Sequence, residues 1–82
     1  MMTNEKRTAM RSHTVGPCTE ADKQAIKEGL VRLGEPLEPP TLWNHNPKKF
    51  DSIRYFNSPH GDWGTSKEEP NISAQDFIAK FL

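Results

Sequence analysis

Residues 71–82 read NISAQDFIAKFL, and they hold the signals of a short helix that needs a surface to lie on. Ser73 and Asp76 form an S-x-x-D box, in which the hydroxyl accepts a backbone N–H that the first helical turn leaves unpaired. Ile72, just before the cap, and Phe77, at the fourth helical position, are spaced for a hydrophobic staple. Phe77, Ile78, Phe81 and Leu82 make one apolar side. A helix of about ten residues does not persist alone in water, so this side must dock, and the expected partner is a small sheet upstream.

Three segments supply that sheet: TLW at 41–43, SIRYFN at 52–57 and DWGTS at 62–66. In the middle one Ile53 and Tyr55 alternate with Arg54 and Phe56, which puts apolar groups on both faces and makes it the expected central strand. Between it and the next lies NSPHGD, whose Asn, Ser, Pro, Gly and Asp are hairpin-loop residues. HGDWG at 60–64 then admits two readings. In one, Gly61 supplies the positive φ of a tight turn and Trp63 anchors the hairpin in the core. In the other, His60, Asp62 and Trp63 hold a flat or anionic ligand on a rigid loop.

Upstream, Thr19 and Asp22 are placed as a capping box after Pro17, so a helix is expected to start there. Ala25, Ile26, Leu30 and Leu33 fall on one side, and Gly34 followed by Pro36 marks the stop. Gly29, inside this helix, points to a place where another group packs close. EPLEPP at 35–40 has three prolines and reads as an extended connector rather than a ligand for a proline-recognising domain. Residues 1–12 show neither a helical apolar stripe nor strand alternation, so 1–18 is expected to be a poorly ordered arm unless RTAMRSHTV pairs as an edge strand.

Eighty-two residues make one small domain, and hydrophobic residues are 33% of the chain, so its core must be thin. So small an apolar supply implies marginal stability or a homodimer that buries aromatic surface. Eleven basic and eleven acidic residues leave no net charge, which argues against a global electrostatic grip on nucleic acid or an anionic membrane. The one cysteine, Cys18, forms no internal disulfide, and no apolar run reaches the length of a membrane span. A cytoplasmic protein with no membrane partner is expected.

No P-loop, nucleophile elbow or dinucleotide fingerprint occurs, and His13, Cys18, His45 and His60 are not at metal-ligand spacings. The expectation is a protein without catalytic residues, metal or cofactor. Cys18 stands before a helix start, where a thiol pKa can fall, but no His and carboxylate are placed locally to activate it. Lys48, Lys49 and Arg54 lie near Trp43, Phe50, Tyr55 and Phe56, a basic and aromatic mixture that could stack bases. The simpler reading makes the aromatics core and the charges solvated.

IKEGLVRLG, TLW, IRYF, DWGTS and ISAQDFIAKFL together resemble small accessory, early-region proteins of tailed bacteriophages, over residues 19–82. The resemblance implies a non-enzymatic protein that binds and inhibits or redirects a host bacterial protein, in the host cytoplasm. It also implies a βαββα order, from which MRSHTV departs as a poor leading strand. The full expectation is an α+β domain over 19–82: an amphipathic helix, a two- or three-stranded antiparallel sheet and a short C-terminal helix packed on it. Its expected core is Ile26, Leu30, Leu33, Leu42, Trp43, Ile53, Tyr55, Trp63, Phe77, Ile78 and Phe81. A binding surface is expected at His60, Asp62, Trp63, Lys48, Lys49, Arg54 and Tyr55, for a host protein or, as the alternative, nucleic acid or a nucleotide.

Overall fold

A computed structural model describes residues 3–39, 43, 51–57, 59 and 61–82. The expected residues Leu42, Lys48, Lys49, Phe50 and His60 lie outside them, as do Thr41 and Leu42 of the first expected strand. The order is α1 (Asn4–Arg11), β1 (Thr14–Val15), α2 (Glu20–Arg32), β2 (Ser52–Tyr55), β3 (Trp63–Ser66) and α3 (Ala74–Phe81). From β1 onward this is βαββα. The strands form one antiparallel sheet in the order β1-β2-β3, so β2 is central as expected, and MRSHTV supplies the leading edge strand through its last two residues.

Both expected helices begin and end on their signals. At α2 the Asp22 N–H donates to Thr19 Oγ1 and the Thr19 N–H to Asp22 Oδ2, each at 3.1 Å, which completes the box. Gly34 takes φ 76° after the last turn, and the Glu35 N–H then reaches back to the Leu30 carbonyl at 3.0 Å while Gly34 N–H reaches Val31. This pair of bonds is a Schellman motif, which a left-handed residue at this position makes possible. At α3 the Asp76 N–H donates to Ser73 Oγ at 3.2 Å.

The sheet register places Val15, Ile53, Tyr55 and Trp63 on one face, through the pairs Val15 with Ile53 and Tyr55 with Trp63. Phe77 of α3 lies against Trp63 with ring centroids 5.8 Å apart, and Phe77 and Phe81 are themselves 5.1 Å apart. Trp63, Phe77, Ile26, Leu30, Ile53 and Val15 are fully buried in one core that also takes in Phe81 and Trp43, with Leu33, Tyr55, Ile78 and Leu82 packed around it. The C-terminal helix is therefore held as its sequence requires, by its phenylalanines against the indole. α2 meets α3 where Gly29 faces Leu82, so closely that a Cβ at Gly29 would stand 2.9 Å from Leu82 Cδ1.

The N-terminal segment forms a helix that its apolar pattern does not signal. Thr3 caps α1 by accepting the Lys6 N–H at 3.1 Å, and Met10 is its one buried side chain. Met10 and Val15 both belong to the main core. The proline-rich connector is extended, as expected, and lies alongside β3: Trp63 N–H donates to the Pro36 carbonyl and Glu38 N–H to the Trp63 carbonyl, both at 3.0 Å. On the other side of the sheet Ile72 bridges Val15 of β1. Across the start of β2, Lys23 of α2 is paired with Asp51 at 2.8 Å, both side chains nearly buried.

Candidate functional site

Within HGDWG, Gly61 adopts φ 55°, and the Phe56 N–H donates to the Asp62 carbonyl at 3.0 Å, closing the hairpin. Trp63 has no exposed surface and its ring meets Tyr55 edge-on at 5.8 Å. The indole thus serves as the anchor of the hairpin and is not available to stack on a ligand. Asp62 is half-buried at the hairpin end.

Arg54 and Tyr55 were expected to share a binding surface, but adjacent strand residues point to opposite faces of a sheet. Arg54 pairs with Glu68 and lies over the Phe56 ring, 5.3 Å from its centroid. Its charge is therefore already partnered. Tyr55 sits on the core face at the end of β2, partly exposed, with a face of its ring against α1.

There a second constellation forms, from residues far apart in the chain. Arg7 and Arg11 are one helical turn apart and share a side of α1. The Schellman turn at Gly34 carries Glu35 under that side, where the carboxylate has no exposed surface. An isolated buried carboxylate is strongly unfavourable, and here both oxygens are satisfied. Arg7 Nε donates to Oε1 at 2.8 Å, and Arg11 donates to Oε2 through Nη2 at 2.6 Å and Nε at 3.1 Å. The Arg11 guanidinium also lies over the Tyr55 ring, 4.2 Å from its centroid, in cation–π contact. Arg11 is thereby fixed at its edge by Glu35 and on its face by Tyr55.

Beside Arg11 opens a cleft of about 300 Å³ lined by Thr8, Arg11, Ser12, Tyr55 and Asn57. Of the expected site residues that are described, only Tyr55 lines it. Arg7, Arg11 and Glu35 carried a partial signal: two arginines at helical spacing and an acidic residue directly after a helix stop. What joins them is tertiary and has no local trace.

Cys18 is buried, with its Sγ donating to the Val15 carbonyl at 3.4 Å. Burial, with the nearby Asp22 charge adding to it, pushes its thiol up to about 12, so it stays protonated near neutral pH. Its place before α2 does not make it a thiolate. No helix among the described residues is long and apolar enough to cross a membrane. No protein-family model, curated protein or solved structure matches the chain.

Proposed function

We propose that this chain is a non-enzymatic interaction protein of the tailed-bacteriophage accessory kind, binding and inhibiting or redirecting a host bacterial protein. Its binding face is the junction of α1 with the end of the β2–β3 hairpin. The carrying observation is Arg11, held rigid by Glu35 and Tyr55 and lining an open cleft. An arginine with its orientation already fixed loses little freedom on binding, and arginine and tyrosine are the residue types that most often dominate protein interfaces. Within the motifs that carry the phage resemblance, Leu30, Ile53, Trp63 and Phe77 serve the core. The nucleic-acid alternative has less support, because Arg54 is paired with Glu68 and faces away from Tyr55.

The test is an affinity capture from bacterial lysates with the wild-type chain and with Asn57→Ala and Thr8→Ala, two exposed positions whose change leaves the core intact. A stoichiometric bacterial protein retained by the wild type and lost from the variants is expected. Capture of none, or salt-dependent binding to single-stranded DNA in its place, overturns the proposal.

A further inference from the structure

We infer that the cleft between α1 and the hairpin end takes a carboxylate of the partner, from an Asp or Glu side chain or a chain terminus, with Arg11 as its main contact. This rests on the protein-binding reading above. Glu35 occupies the Nε and Nη2 side of the guanidinium, and Nη1 makes no hydrogen bond among the described residues. Tyr55, Thr8 and Asn57 line the same cleft, and their side-chain polar groups make no hydrogen bond among the described residues. A planar cation with an open edge, in a cleft whose other lining residues carry neutral donors, is what an oxyanion needs.

Charge and size decide which oxyanion. Arg7 and Arg11 carry two positive charges against the single negative charge of Glu35, which leaves one positive charge at the junction. One carboxylate balances it. A phosphate monoester, at about −1.5 to −2, would leave excess negative charge beside a buried carboxylate. The volume of about 300 Å³ is far more than a bare anion fills, since a water molecule occupies about 30 Å³ of liquid. It accommodates an acidic side chain together with the backbone that bears it.

The experiment is an amide NMR titration of the whole chain with N-acetylglutamate methylamide, its glutamine counterpart and inorganic phosphate. The expected result is saturable shifts at Thr8, Ser12 and Asn57 with the carboxylate probe. Binding should be at least about tenfold weaker with the glutamine probe, because a hydrogen bond between charged groups is worth more than a decade of affinity. Arg11→Lys keeps a cation for Glu35 but loses the planar fork, and it should weaken the carboxylate probe to a similar extent. Tyr55→Phe, which keeps the ring under Arg11, reports on the hydroxyl should Arg11→Lys unfold. Equal response to both amino-acid probes, tighter binding of phosphate, or indifference to both variants overturns the inference. A bacterial protein that binds the wild type and both variants equally overturns the carboxylate site while the protein-binding reading stands. Carboxylate binding in the cleft by a chain that captures no bacterial protein supports the site and removes that reading.

Discussion

The Glu35 carboxylate, with none of its side chain exposed, lies 2.6 Å from Nη2 of Arg11. The arrangement is asymmetric, because the side chains of Arg7 and Arg11 keep 34% and 29% of their surface in water. Removing the acid leaves two cations that can rehydrate. Removing the cations leaves a charge that cannot.

Arg7→Met with Arg11→Met is therefore expected to destabilise by about 3 kcal/mol, the lower end of what breaking a buried pair costs. Glu35→Gln alone should cost about 1 kcal/mol, as for a few weakened hydrogen bonds. Adding Glu35→Gln to the double variant should restore part of the loss. Urea denaturation of the four proteins measures this, and a Glu35→Gln cost above that of the double variant would contradict it.

Gly29 offers a second asymmetry. A glycine inside a helix usually gains about 1 kcal/mol on change to alanine. Here the added methyl would meet Leu82, whose Cδ1 and Cβ stand 2.9 and 3.1 Å from its place. Gly29→Ala is expected to be neutral or destabilising in the wild-type chain and stabilising by about 1 kcal/mol in a Leu82→Gly background, which removes both the Cβ and the branched end. The double-mutant cycle reads the coupling directly. Equal effects in both backgrounds would show that Leu82 does not pack there.

Phe77 is fully buried against Trp63 on a helix of 8 residues. Phe77→Ala should cost about 3–5 kcal/mol, most of what a domain of this size possesses. The chain should then lose most of its helical circular dichroism at 25 °C. Ile78→Ala, on the partly buried flank, should leave a folded protein.

Cys18 makes the protein's stability pH-dependent. Its ordinary thiol value of 9.0 rises to about 12 in the fold, through burial first and then through Asp22. Below pH 9 the thiol is neutral in both states and the contribution is fully present. As pH climbs from 9 toward 12, the unfolded chain releases the proton and the folded chain does not, so stability falls by about 1.4 kcal/mol per unit. Cys18→Ala should lack this decline, which denaturation at about pH 8.5 and about pH 10 will reveal. Parallel pH profiles for the two proteins would contradict it.

Local chemistry made α2, α3 and the hairpin readable. Thr19 with Asp22, Ser73 with Asp76, Gly34 and Gly61 each bind or turn within a few residues, so short-range sequence states their role. α1 shows the limit of that logic. Its one buried side chain is Met10, and much of its anchorage comes from Arg7 and Arg11 reaching a carboxylate 28 and 24 residues away. No hydrophobic period reports such a helix. The cleft has the same origin: Thr8 and Asn57 meet because β1 pairs with β2, a register that Thr14 and Val15 do not announce by themselves. Trp63 was legible as either an anchor or a ligand group, and burial alone separates the two.

The proline-rich connector makes the last case, because its pairing with β3 uses the groups that proline retains. Pro36 offers its carbonyl to the Trp63 N–H, and the return bond comes from the N–H of Glu38. Pro36→Ala should therefore cost less than about 1 kcal/mol, mostly by loosening the unfolded chain. Glu38→Pro removes the donor itself and leaves the Trp63 carbonyl unpaired on the sheet edge. The Glu38 carboxylate also lies over Gly64, so Glu38→Gln is the control that keeps the backbone bond while changing the side chain. Glu38→Pro is expected to cost about 1–3 kcal/mol and, by baring a strand edge, to promote association that grows with concentration. Sedimentation velocity of the three variants tests this: association by Glu38→Gln as strong as by Glu38→Pro would place the effect in the side chain and not in the edge.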